Sequence, residues 1–419
     1  MIKRASLPER ANAGRSDGQQ LLGADRVKRA WEALLASLQL GLTSFGGPIA
    51  HLGYFERAYV QQRKWLTGEE FGNLVALCQI LPGPTSSQVG FLIGLRHAGW
   101  PGALAAWFGF TLPSALLMVA CATVAATVQG PVAQAAVHGL KLVAVAVVAQ
   151  AAWSMARKLC PDRATAGIAL VAASMLLVVG GSSMQLAALA VGAAAGAALC
   201  RDSKLESGPL AISIRPAAAW IALGLYGLML IGLPIVAALF PPHSLVALAG
   251  VFYRAGALVF GGGHVVLPLL RDAMVPGGWI SDDRFLTGYG LAQAVPGPLF
   301  TLAAYLGAAS DFVRVPAVGA VVAVIFIFLP GLLIAVAGVS LWSRLASRPS
   351  LRGSLAGINA AVVGFLGAAL YNPVWVTGIR DGADAAVAMI GLALLERWKV
   401  PPVAVVVACV VLSGVRALF

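Results

Sequence analysis

Residues 37–55 read SLQLGLTSFGGPIAHLGYF, and the four at their centre, Phe45, Gly46, Gly47 and Pro48, are poor helix formers in an apolar stretch. Glycine costs a helix interior about 1 kcal/mol and proline about 3 kcal/mol relative to alanine. A break here frees backbone N–H and C=O groups among residues that exclude water. Non-helical backbone at membrane depth is tolerated only where protein buries it or it lines a watery cavity. The stretch therefore predicts a helix interrupted on purpose.

Composition sets the class. Of 419 residues, 59% are hydrophobic and 11% charged, and the mean hydropathy is +0.85, against about 25% charged in a soluble domain. The chain reads as an all-α polytopic membrane protein embedded in a lipid bilayer. Its net charge of +12 sits in short segments between apolar runs, where basic residues set topology, so nucleic acid is not the expected partner. Five cysteines, Cys78, Cys121, Cys160, Cys200 and Cys409, are scattered singly, and neither a disulfide framework nor a metal site follows. No cofactor motif is present. Residues 1–30 carry seven Lys/Arg and no signal-like apolar run, and read as a disordered basic cytoplasmic tail.

Carrying FGGP forward uncovers an internal repeat. It returns as Phe260, Gly261, Gly262 and Gly263; Trp65–Phe71 (WLTGEEF) matches Trp279–Phe285 (WISDDRF), and Gln79 matches Gln293. Pro82-Gly83-Pro84 then matches Pro296-Gly297-Pro298, Leu112-Pro113 matches Leu329-Pro330, and Gly139 with Trp153 matches Gly357 with Tyr371. The landmarks divide the chain into a tail (1–30), a first repeat (31–160), connecting membrane helices (161–244), a second repeat (245–384) and C-terminal membrane helices (385–419).

Basic residues switch sides between the repeats. The tail preceding the first is basic, whereas residues 241–244 carry no Lys or Arg; residues 121–130 are uncharged, whereas the matching loop holds Arg344, Arg348 and Arg352. Arg157, Lys158 and Arg163 close the first repeat, and Arg380 beside Asp381 closes the second. By the positive-inside rule the halves are inverted, and three apolar runs in the connector, an odd number, agree. Inverted repeats are characteristic of secondary transporters. The N-terminus is expected in the cytoplasm and the chain in the inner membrane.

A spanning helix needs about 20 residues at 1.5 Å each. The run from Trp31 to Phe45 reaches only about 22 Å, and those from Phe71 to Leu81 and Thr85 to Leu95 about 16 Å. Each repeat therefore reads as two re-entrant hairpins, with tips at FGGP and LPGP, then FGGG and VPGP. Every returning helix starts at its tip with unpaired N–H groups and the positive end of its dipole. Pro48, Pro84 and Pro298 suit a helical start, and converging helix starts form an anion site. The candidate binding residues are Gly46, Gly47, Pro48, Gly83, Pro84, Thr85, Ser86, Ser87, Gln88, Gly261, Gly262, Gly263, Gly297 and Pro298. Lys141, inside an apolar run, is expected to supply the cavity's fixed positive charge, with Asn359 as its repeat partner. Candidates for gating or coupling are His51, His264, Gln79, Gln293 and two ion pairs, Glu56-Arg57 and Arg271-Asp272. A purely structural role for each Gly/Pro turn or histidine is the competing reading.

FGGPIAHLGYFERAYVQQRKWL, LVALCQILPGPTSSQVGFLIGLRHAGWPGALAAWFGFTLPS and their second-half counterparts resemble the chromate ion transporter family in its long two-domain form, over roughly residues 31–419. The resemblance implies chromate export from the cytoplasm, chromate resistance, sulfate as the structural analogue, and antiparallel halves. Gly263 replaces the proline of GGP and Leu299-Phe300 the hydroxyl pair after PGP, which points to a site with ligands mainly from repeat one. A homodimer is left open. So are carriage of sulfate or another oxyanion and a passive channel. An enzyme is not expected, since HExxH, GxSxG and cysteine clusters are all absent.

Overall fold

The structure, a computed structural model, describes residues 10–127, 130–200, 210, 212 and 214–416. Helix α1 (Arg10–Thr43) stops at the FGGP break, and the chain returns as α2 (Gly47–Phe55), which continues through a π-helical turn, Glu56–Gln62. Helix α3 (Gly68–Ile80) leads to the LPGP tip, and α4 (Thr85–Thr127) leaves it. Non-helical Ala98 and Gly99, the latter at φ +69°, split α4 into a short returning piece, 85–97, and a long helix, 100–127, that contains Pro113. Then come α5 (Pro131–Leu159), α6 (Arg163–Val178) and α7 (Gly181–Leu199), with α8 (Pro216–Ala237) joining the halves.

The second half repeats the plan. Helix α9 (Leu245–Leu258) breaks at FGGG and returns through a 3-10 turn, Gly263–Val265, into α10 (Val266–Met274). Helix α11 (Asp282–Ala294) breaks at VPGP and returns through Leu299–Thr301 into α12 (Leu302–Ala308). Helices α13 (Pro316–Ser347), α14 (Pro349–Ala369, continuing to Gly378), α15 (Gly382–Glu396) and α16 (Pro402–Arg416) complete it. The described residues contain no strand. Among the described residues, five stretches are long and apolar enough to cross a membrane: Thr85–Ala125, Gln134–Leu159, Pro216–Ala237, Pro316–Trp342 and Pro349–Gly378. The 13-residue α3 and α11 reach only about 20 Å.

One expectation is corrected at the start of the chain. Helix α1 begins at Arg10, within the stretch expected to be a disordered tail, and runs into the apolar segment; residues 1–9 lie outside the described residues.

Glycines set the packing, and they do so at matching places. A Cβ on Gly94 would stand 2.3 Å from the Gly102 oxygen, and one on Gly307 2.3 Å from that of Gly319. Each re-entrant helix thus lies backbone to backbone on the long helix that follows. The halves also interlock: α14 of the second repeat packs on α6 and α7, while α5 of the first packs on α15 and α16. Gly357 approaches Gly192 so closely that its Cβ would meet the Gly192 oxygen at 2.0 Å, and a Cβ on Gly139 would meet the Val410 Cα at 2.7 Å. Small residues allow such approach where apolar burial from lipid adds no driving force.

Gly357→Leu is therefore expected to separate α14 from α7. Overpacking of this kind costs about 1–3 kcal/mol or more, so the monodisperse yield and melting midpoint in detergent should both fall, with Gly367→Leu, where a Cβ meets nothing within 4 Å, as the neutral control.

Candidate functional site

All four tips meet, and they meet crosswise. The Gly83 N–H of the LPGP tip donates to the Val259 carbonyl at the FGGG break (2.7 Å), and the Gly297 N–H of the VPGP tip donates to the Ser44 carbonyl at the FGGP break (2.8 Å). Gly83 corresponds to Gly297 in the repeat, and Ser44 to Val259, so the two bonds are the same bond made twice by opposite halves. The turns use left-handed backbone at equivalent positions: Gly46 and Gly261, Gly47 and Gly262, Gly83 (φ +117°) and Gly297 (φ +99°), which favours glycine. Each PGP tip presses on the long helix of the other half, beside Pro113 or Pro330. A Cβ on Gly83 would lie 2.7 Å from the Gly331 Cα, and one on Gly297 2.8 Å from the Ser114 Oγ. The two GG tips also touch, with Pro48 Cγ 3.2 Å from where a Gly263 Cβ would be.

The returning helices at the tips start without a side-chain cap, as do α5, α7, α8, α13 and α14. Thr67, Asp162, Ser244, Ser281 and Asp381 cap the starts of α3, α6, α9, α11 and α15 with side-chain oxygens. Gly46, Gly262 and Pro298, which open the returning helices, make no side-chain cap. Their N–H groups and dipoles face the meeting point. A cavity of about 20 Å³ lies there, lined by Gly46, Gly47, His264, Gln293, Gly297 and Leu299, room for about one water molecule. The Tyr289 hydroxyl holds His264 Nδ1 at 2.8 Å, and a Cβ on Gly47 would stand 3.9 Å from His264 Nε2. The Gln293 Nε2 is buried and has no partner among the described residues.

On the first-repeat side, Ser44 Oγ, Ser87 Oγ, His51 Nε2 and Gln88 Oε1 are likewise buried without a partner among the described residues. His51 Nδ1 lies 3.4 Å from Ser86 Oγ. Gln88 spends its amide on structure, donating to the Pro82 (2.8 Å) and Gly331 (2.9 Å) carbonyls and so tying its own tip to the opposite half. The hydroxyls of Thr85 and Thr301 turn back to the Cys78 and Pro298 carbonyls.

Several expected roles are redistributed. The cavity is lined by Gly46 and Gly47 of repeat one together with residues of repeat two, while the first-repeat hydroxyls of Ser44, Ser86 and Ser87 are buried. Gln79 is exposed while its counterpart Gln293 lines the cavity. Lys141 is not the cavity's free charge: its Nζ lies 2.6 Å from Asp283 Oδ1, in the first turn of α11 and so about 20 Å of helix from the tip. Asn359 sits on α14 with its Oδ1 buried and unpartnered among the described residues. Arg271 grips Asp282 with two bonds of 2.9 Å and lies 3.7 Å from Asp272, whereas Glu56 and Arg57 are both exposed and make no ion pair with each other. Pro48 is the second helical residue, and Pro298 and Pro84 immediately precede their helices. The sequence reading passed over Tyr289, Ser44 and Ser114; landmark matching could not find them, since none is polar in both repeats.

At the water-facing ends, charges are paired with the opposite sense in the two halves. Glu70 bonds Arg96 at 2.8 Å, and at the equivalent place Arg284 bonds Asp311. The Thr67 N–H, with Arg96, holds the Glu70 carboxyl below its ordinary range. The Arg416 guanidinium and the α15 N–H groups hold Asp381 down to about 2.

The family model described as Chromate transporter matches residues 31–199 and, a second time, residues 246–414. The chain belongs to the chromate transporter family. The two matches run past the expected repeat ends at 160 and 384, so each repeat of this chromate transporter takes in two further short helices, α6–α7 and α15–α16. A probable chromate transport protein of Synechococcus elongatus is 30% identical over 389 residues, 89% of this chain and 92% of its own length. A chromate transport protein of Pseudomonas aeruginosa is 28% identical over 367 residues, 86% of each chain, and one of Cupriavidus metallidurans 26% identical over 387, 91% of each. No solved structure matches this chain.

Because Gly297 combines positive φ with a would-be Cβ only 2.8 Å from the Ser114 Oγ and 3.0 Å from its Cβ, Gly297→Ala is expected to disturb the tips well beyond the about 1 kcal/mol of a simple αL penalty. Transport should fall at least about tenfold while Gly224→Ala, where a Cβ meets nothing within 4 Å, leaves it intact.

Proposed function

We propose that this protein exports chromate from the cytoplasm across the inner membrane, conferring chromate resistance, by alternating exposure of an oxyanion site at the four tips, with its N-terminus in the cytoplasm. The observation that carries the reading is the crossed pair of tip bonds, Gly83 to Val259 and Gly297 to Ser44, which puts uncapped helix starts from both halves around one cavity. Uncapped N–H groups, the Gln293 amide and His264 Nε2 supply a donor shell suited to a tetrahedral anion. A space of about 20 Å³ is smaller than a five-heavy-atom oxyanion, so the anion enters only as the halves move apart, in the rocking of inverted repeats about a midplane site.

Direction follows from charge. One charge moved through 100 mV is worth about 2.3 kcal/mol, so a dianion leaving a negative cytoplasm gains about 4.6 kcal/mol per 100 mV. Sulfate is the second reading, because backbone N–H groups and an amide recognise tetrahedral charge and not the central atom.

Inverted vesicles are expected to take up labelled chromate saturably, faster when the lumen is made positive, and with competition by sulfate; unitary currents without saturation would overturn the carrier reading. Gln293→Ala should raise KM for chromate about tenfold and lower the membrane abundance little. Equal loss of abundance and transport would make Gln293 a structural residue.

A further inference from the structure

We propose that Lys141 is a second oxyanion site, lying between the tip cavity and the mouth of the second repeat's hairpins, and that the Asp283 carboxylate occupies it here as a tethered counter-anion; this rests on the oxyanion reading above. Lys141 is 4% exposed in the middle of α5, and its Nζ lies 2.6 Å from Asp283 Oδ1. The Asp283 side chain is 67% exposed. The pair is thus unequal. A buried ammonium stripped of its anion is strongly unfavourable, whereas a carboxylate swinging into water loses little. As an ammonium, Lys141 needs an anion beside it, and Asp283 is free to stop being that anion. The carboxylate oxygen marks where an oxyanion oxygen would sit.

Asp283 has no competing structural duty at the helix start. Ser281 Oγ already caps α11 by accepting from the Arg284 N–H, and the Asp283 backbone carbonyl accepts from Thr287 Oγ1. The neighbouring acids are committed. Asp384, 1% exposed, lies 2.9 Å from His138 Nε2, one turn before Lys141, and accepts from Arg416 at 2.7 Å and from the Arg380 N–H at 2.9 Å. Asp381 shares Arg416 with it.

Helix α11 links the two sites. A Cβ on Gly290 of α11 would lie 2.6 Å from the Leu140 oxygen, and Gly290 is about 10 Å of helix from the tip at Gly297. Gln293, with its unpartnered Nε2, stands between them. Pro402, at the start of α16, lines the tip cavity, and α16 packs along α5. The inverted half lacks this step: Asn359 and Glu69 occupy the positions equivalent to Lys141 and Asp283, and neither is a cation. A cationic waypoint at one end only, the exit end in the orientation proposed above, draws the anion outward after it leaves the tips.

The test is equilibrium binding of labelled sulfate to the purified full-length protein in nanodiscs. Removing a tethered competitor whose effective concentration is millimolar or higher should make Asp283→Asn bind at least about tenfold more tightly than wild type. The gain should recur in Asp283→Ser, persist when Gln293→Ala is added, and disappear in Lys141→Met/Asp283→Asn. Unchanged binding in both Asp283 variants at an unchanged melting midpoint, or a gain that survives loss of Lys141, would overturn the proposal. Failure of the oxyanion-transport reading would show separately, as vesicles that take up no chromate whatever Asp283 is.

Discussion

Two backbone hydrogen bonds carry the architecture. Breaking four helices at membrane depth strands N–H and C=O groups where an unsatisfied one costs several kcal/mol. The protein resolves this by exchange: the carbonyl freed at each GG break accepts the N–H freed at the PGP break of the other half. Neither repeat meets this need by itself. The bonds therefore set the register of the two halves and bring the tips to one place, and any rocking between halves must work around or through them.

A symmetric backbone here carries asymmetric chemistry. Both halves use glycine at the same positive-φ positions, and both press a PGP tip on the opposite half's long helix. Side chains then depart. The second repeat gives His264, Tyr289 and Gln293 to the cavity side, while the first buries Ser44, His51, Ser86 and Ser87. The division has a physical basis. Turn geometry allows almost nothing but glycine and proline, so duplication is preserved there, while any side chain that fits the space between halves is free to change.

The sequence disclosed the breaks, their pairing in two halves and the shortness of the helices around them, because Gly, Pro and helix length are local signals. It did not disclose which tip meets which, since the Gly83–Val259 and Gly297–Ser44 bonds join residues over 170 positions apart and use main-chain atoms that every residue has. Lys141 was legible as an intramembrane cation, but its partner was not; Asp283 lies in WISDDRF, where an acid in a first helical turn is ordinary. The family matches extend to 199 and 414, past the landmarks at 160 and 384, over helices α6–α7 and α15–α16 that share apolarity rather than any matching landmark.

The interlocking of the halves through α6–α7 and α15–α16 also bears on how the chain is made. Helix α7 ends at Leu199 and its partner α14 begins at Pro349, so 149 residues must be synthesised between them. At about 5–20 residues per second, the glycine-lined face of the first half waits roughly 8–30 s in the bilayer before the helix that fits it arrives. Its exposed surface during that interval is small and apolar, tolerable to lipid, and the ribosome's pace becomes part of the assembly of the interlocked pair.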